Sequence, residues 1–205
     1  MNSYVMIEMQ LICLINRFFN VMKIILLFIL LTTMITGQEN QMNEVILNSF
    51  IMKTENRWRI VNDNVMGGLS SSRVIIENDK IIFAGNVSLE NNGGFASIRS
   101  PVKNYDLSNF NGISIRLKAD GKNYSISMKE TSYFTGYFYT AIFETKADEW
   151  ITIKIPFNQF KLYYFGKRIN SDTEIPLDRI KEISFLIGDK QEGNFKAVVD
   201  YIKFY

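Results

Sequence analysis

From Trp58 to the C-terminus, apolar residues recur at every second position in short runs closed by turn formers. That spacing suits a half-buried strand and defeats a helix. Ile113, Ile115 and Leu117 alternate with Ser114, Arg116 and Lys118; after the turn Asp120-Gly121, Tyr124, Ile126 and Met128 alternate with Ser125, Ser127 and Lys129. Ile151, Ile153 and Ile155 alternate with Thr152 and Lys154, and Pro156, with no N–H for a ladder, ends that run. Ile183, Phe185 and Ile187 form another inward row, and Phe195, Ala197, Val199 and Tyr201 are predicted to share one face of the last strand. Further strands are predicted over 73–77, 80–84, 86–90, 95–100 and 137–144, about ten in all. Single helical turns are expected near 158–161 and 177–180. The predicted fold class is all-β, an antiparallel jelly-roll β-sandwich.

The N-terminus reads differently. Residues Met22 to Gly37 carry one cation, Lys23, then the apolar run Ile24–Leu31 and a small-residue exit at Thr36-Gly37, the pattern of a signal peptide. The run is shorter than the roughly 20 residues that span a bilayer. The expected organisation is an over-extended start over 1–21, a signal peptide over 22–37, a leader over 38–45 and a folded domain over 46–205. The expected location is outside the cytoplasm, periplasmic or secreted; the alternative is anchoring through an uncleaved N-terminal segment, the one membrane contact expected. Removing 1–37 takes away Glu8, Arg17 and Lys23, so the net charge of +2 falls by one.

What remains is poor in catalytic chemistry. The 205-residue chain has no histidine and a single cysteine, Cys13, inside the removed segment. Ser-His-Asp and Cys-His nucleophile systems and imidazole-based metal sites are therefore excluded, and the chain reads as a non-enzyme. With 23 Lys+Arg against 21 Asp+Glu, no basic excess points to nucleic acid.

The acids nearest the glycine-rich strings are Asp63, Asp120, Asp189, Glu192 and Asp200. Their first reading is turn capping, or pairing with Arg99; three together would suit a structural calcium ion, and two across a cleft would suit glycoside hydrolysis. Otherwise no cofactor is expected. Asp200, inside the last strand, is expected to be the most buried of the five. Arg99 stands among apolar strand residues and needs a carboxylate partner there, or anchors a ligand. The pairs Gly67-Gly68 and Gly93-Gly94 suit bulges and loop corners.

Aromatic residues crowd two segments: Tyr133, Phe134, Tyr137, Phe138 and Tyr139, then Tyr163, Tyr164 and Phe165. Consecutive strand residues point to opposite faces, so some rings must lie outside the core. The candidate binding face is Tyr133, Tyr137, Tyr139, Tyr163 and Tyr164 with Arg99. It would take a protein partner, or alternatively a polysaccharide.

Five strings, in order, carry a resemblance. They are Trp58 with Asn62, Asp63, Met66, Gly67 and Gly68; Gly93-Gly94-Phe95 running to Arg99; and Asp120-Gly121. The fourth runs from Trp150 to Pro156-Phe157, and the last is Gly188-Asp189-Lys190 with Gly193 and Phe195. Together they make the chain resemble the complex I intermediate-associated protein 30 family over roughly 46–205. The resemblance implies a galactose-binding-like β-sandwich and an assembly-factor, chaperone-type role with a protein partner. Ala119 stands where the family often has Gly.

Overall fold

The computed structural model describes residues 17–33, 58–170 and 173–205. Two compact units are present, residues 1–43 and 44–205. The first contributes a helix over 17–33 that includes the apolar Ile24–Leu31 run. Among the described residues, no helix is long and apolar enough to cross a membrane. The expected cleavage point, the leader 38–45 and residues 1–16 of the expected over-extended start lie outside the described residues.

The second unit is the sandwich. Its strands are β1 (Arg59–Asn62), β2 (Ser71–Glu77), β3 (Lys80–Val87), β4 (Ala96–Arg99), β5 (Gly112–Ala119) and β6 (Tyr124–Lys129). They continue as β7 (Tyr137–Phe143), β8 (Trp150–Pro156), β9 (Lys161–Tyr164), β10 (Lys167–Arg168), β11 (Glu182–Ile187) and β12 (Gly193–Phe204). One sheet runs β1-β4-β11-β6-β7-β9-β10 and the other β2-β3-β12-β5-β8. All pairs of named strands are antiparallel. The all-β jelly-roll class read from the alternation is the class observed.

The inward rows meet between the sheets. Tyr124, Ile126, Met128, Ile183, Phe185 and Ile187 line the first sheet, and Ile113, Ile115, Leu117, Phe83, Ala197 and Val199 the second, all buried. Phe83 and Phe185 meet edge-to-face across the layers at 5.9 Å, and Tyr124 stacks on Phe185 at 5.2 Å. Single 3-10 turns occupy Phe157–Gln159 and Leu177–Arg179, close to the expected turns.

Three local readings are corrected. The predicted strands 80–84 and 86–90 are one strand, β3, which ends at Val87: Gly85 keeps the ladder opposite Ser72 of β2, whose backbone lies so close that a Cβ on Gly85 would lie 2.7 Å from Ser72 Cα. In β12 the register shifts between Val199 and Tyr201, and this bulge resets the alternation. Ile202 and Phe204 therefore turn inward and Tyr201 outward. Asp200 is the extra residue, a third exposed and paired with Arg116 at 3.2 Å and Lys80 at 3.6 Å, so it is not the buried acid of the set.

Candidate functional site

The buried acid is Asp63, in the first glycine-rich string, with no exposed surface. Its Oδ1 accepts the Ser70 N–H at 2.9 Å. Its Oδ2 accepts the Gly94 N–H at 2.7 Å, the Phe95 N–H at 3.2 Å and the Ser70 hydroxyl. Burial pushes this carboxyl up, but the Ser70 hydroxyl and the N–H groups of Gly94, Ser70 and Phe95 outweigh it and hold it below the ordinary carboxylate range. The glycine pairs make room for it. A Cβ on Gly68 would lie 2.5 Å from Asp63 Cγ, and one on Gly93 2.6 Å from Oδ2. Asp63 therefore ties β1 to the loops before β2 and β4, a structural duty.

Asp120 is spent similarly: it accepts the Lys122 N–H at 3.2 Å, the Tyr124 hydroxyl at 3.0 Å and the Lys196 N–H at 3.0 Å. Gln191, within the fifth string, locks the third string to the fifth through Asn123 N, Asn123 O and Gly188 O, at 2.8, 2.8 and 2.9 Å. Asp189 holds a left-handed turn with φ +58°. Among the described residues, no three acids, histidines or cysteines gather as a metal-ion set.

The outer face of the seven-stranded sheet is the more telling surface. Arg59, Arg99, Ser184, Ser127, Thr140 and Lys161 stand in one cross-strand row over β1, β4, β11, β6, β7 and β9. Beside the row, Glu182 is fully buried and faces three cations: Lys129 at 3.1 Å, Arg99 at 3.5 Å, and Arg59. Arg99 thus has the carboxylate partner its setting demands. Burial lowers its pKa, and the Glu182 charge offsets part of that fall. Lys129 is read from sequence as the polar phase of ordinary alternation, and Glu182 is not singled out there. The available signal was the run of serines, Ser125, Ser127 and Ser184, in place of the long charged residues a solvated face carries.

Phe138 and Tyr163 continue this face at the β9–β10 end, while the pair Tyr137–Tyr164 stands on the core-side phase of the same strands, beyond the core's edge, and the loop rings join the two. Arg99 lies 5.5 Å from the Phe138 ring, and Phe138 leads to Phe134 at 6.4 Å and then to Phe165 at 5.6 Å. Phe165 meets Tyr164 at 4.7 Å, and Tyr164 meets Tyr137 at 4.6 Å. Tyr133, Phe134, Tyr137, Tyr164 and Phe165 are all exposed, while Tyr163 is half-buried on the sheet face beside Phe138. Tyr139 is corrected: it alternates inward, is 6% exposed and belongs to the core. Phe165 shows strain. It sits with φ +45° in the β9–β10 turn beside Gly166 at φ +75°, a position that favours Gly or Asn, and it holds a large ring more than half exposed. Its ring also fits only against a glycine, since a Cβ on Gly136 would lie 2.6 Å from Phe165 Cε2.

Comparison with known proteins follows the same lines. The family model for complex I intermediate-associated protein 30 matches residues 49–199. The mitochondrial complex I intermediate-associated protein 30 of Mus musculus is 24% identical over 170 residues, covering 71% of this chain and 51% of that protein. Its Drosophila melanogaster namesake is 26% identical over 104 residues, covering 48% of this chain and 35% of that protein. The chain thus spans about half the length, or less, of these two relatives. Among solved structures, the family 11 carbohydrate-binding module of the Clostridium thermocellum cellulase Lic26A-Cel5E has a TM-score of 0.58 at 20% identity. The alignment covers 76% of this chain and 90% of that one, and shows a shared fold. The mitochondrial relatives overturn the expectation of a periplasmic or secreted protein. An apolar run after one lysine is a pattern that other N-terminal helices share with signal peptides, so it does not fix a compartment. For the anchoring alternative, the one finding is that no helix among the described residues is long and apolar enough to cross a membrane. With three quarters of its length matched to the family model, this chain belongs to the complex I intermediate-associated protein 30 family.

Proposed function

We propose that the chain is a non-catalytic, assembly-factor-type module that holds a protein partner on the aromatic end of its seven-stranded sheet, the partner being a subunit or assembly intermediate of complex I. One observation carries the site: four contiguous exposed rings, Phe134, Phe165, Tyr164 and Tyr137, with Phe165 kept at a strained turn position. Strained residues cost stability of about 1–3 kcal/mol and persist where they serve a task. The names of the curated relatives support the kind of partner. The histidine-free sequence and the dispersal of its acids support a role in binding.

The test is site-specific photo-crosslinking in the native cell, with the cross-linker at position 137 or, as a control, at position 152 on the other sheet. Adducts with complex I components from 137 and not from 152 are expected; equal adducts, or none from 137, would remove the site. A second reading, a carbohydrate-binding module, draws on the exposed Tyr137–Tyr164 ring pair, which offers sugars an apolar platform. Glycan-array binding abolished by Tyr164→Ala would favour it.

A further inference from the structure

The opposite sheet presents a second surface that the partner site does not use. Ile75, Ile82, Val198, Lys118 and Trp150 form one cross-strand row over β2, β3, β12, β5 and β8. Ile75 is 45% exposed and Trp150 39%. On one side of this apolar row stand Arg73 and Lys196, both against Ala84. On the other side stand Lys80 and Arg116, with Lys203 and Lys154 beyond, both against Ser114. The face therefore carries seven cations against Glu77, Asp200 and, at its rim, Asp148. That excess of four is twice the excess of the whole chain.

The rings here are already occupied. Arg116 lies 5.4 Å from the Trp150 ring centre, Lys154 5.1 Å from Tyr205 and Lys203 4.8 Å from Tyr201. Capped rings are poor stacking platforms for bases or sugars. Between Arg73 and Lys196 a cleft of about 450 Å³ opens over Ala84 and Gly85, edged by Ser71, Asn86 and Asn194. Two cations and a hydroxyl make it a setting for a phosphate group, beside Asn86 and Asn194, which are hydrogen-bonded to each other at 3.1 Å. Five strands about 4.8 Å apart give a face roughly 19 Å wide.

We propose that this face docks on an anionic lipid surface, with a headgroup phosphate in the Arg73–Lys196 cleft. Lys and Arg side chains keep their charges at headgroup level while their stems, Ile75 and Trp150 meet the apolar boundary below. The long-range attraction needs only a density of negative charge and no shaped partner, which suits a broad cationic sheet face.

Trp150 reports the contact, because the only other tryptophan, Trp58, is 9% exposed. The full chain is mixed with vesicles bearing brominated acyl chains, either phosphatidylcholine alone or with about a third phosphatidylserine. The expected result is quenching of Trp150 on the anionic vesicles at low salt, relieved as added salt shortens the Debye length. Phosphatidylcholine alone should not quench, and Trp150→Phe should abolish the signal. Each cation near an anionic leaflet strengthens binding about fivefold, so removing two should raise the lipid needed about 25-fold, and Arg73→Glu with Lys196→Glu, which also adds two negative charges, should raise it further. The milder Arg73→Gln with Lys196→Gln should show the step of about 25-fold alone, and guards against misfolding of the reversal. Equal quenching on both vesicles, no quenching on either, or reversals without effect would overturn the proposal. So would saturation by polyglutamate or polyuridine with no response to anionic vesicles, which would assign the face to an acidic protein or a nucleic acid.

Discussion

Replacing Asp63 tests why the glycine strings exist. Asp63→Ala strips the acceptor from three backbone N–H groups, those of Ser70, Gly94 and Phe95, and from the Ser70 hydroxyl. Hydrogen bonds to a charged group contribute about 1.5–3 kcal/mol each, and water can reach the part-buried Gly94 and Phe95 donors, so the expected loss is about 4 kcal/mol and not the full sum. With a urea slope of about 2 kcal/mol/M, the midpoint should fall by about 2 M at constant slope. Gly68→Ala forces a methyl against the carboxylate at 2.5 Å and should cost about 2–3 kcal/mol by overpacking. In the Asp63→Ala background the two contacts at 2.5 Å are gone and the residue-63 Cβ, at 2.8 Å, remains, so the Gly68→Ala cost should drop by about half. Urea unfolding of the two single variants and the double reads that coupling. Additivity within about 0.5 kcal/mol would refute the idea that Gly68 is there to admit the carboxylate. The pH dependence has a fixed sign. A carboxyl held below its unfolded value stabilises the fold above that value, near 3.9 in unfolded chains, and the stabilisation drains away as pH falls through the folded pKa. Wild type and Asp63→Asn should therefore converge in stability on acidification from about pH 5 towards pH 2.

Glu182→Gln leaves the buried Arg99 and Lys129 without their carboxylate and should cost about 3–5 kcal/mol, read by thermal unfolding. Gly85→Ala drives a methyl into the β2 backbone, and accelerated amide exchange should appear in β2 and β3 before the rest of the sandwich. Since Asp63 and Asp120 are spent on internal hydrogen bonds, adding calcium or a chelator should leave the melting temperature of the native protein unchanged within about 1 °C.

The sandwich was legible because alternation with turn residues reports the core face of a strand directly, and the rows of Ile113–Leu117 and Ile183–Ile187 fell where expected. Three short strands were not: β1 is four residues with Ile60 and Val61 adjacent and so shows no alternation. β9 holds Tyr163-Tyr164, whose aromatic neighbours on both faces erase alternation, and β10 has two residues. The bulge at Asp200 was invisible because one inserted residue leaves no compositional mark. The aromatic end was legible as a crowd, but not its division, since Tyr139 faces the core while Tyr137 lies beyond the core's edge. Glu182 was missed because its partners come from strands distant in sequence, Arg59 being 123 residues away. The net charge of +2 hid a segregation that only the sheet reveals, with cations on the strands of one face and most acids in loops.

Phe165→Asn is the most direct test of the partner site. The substitution relieves a left-handed strain of about 1–2 kcal/mol and gives up the ring's exposed contacts, so stability should hold within about 1 kcal/mol. The measurement is co-migration of the native chain with complex I assembly intermediates on a native gel, wild type beside Phe165→Asn. Loss of co-migration at an unchanged melting temperature is the expected result. Full co-migration by the variant would contradict the claim that this aromatic end holds the partner.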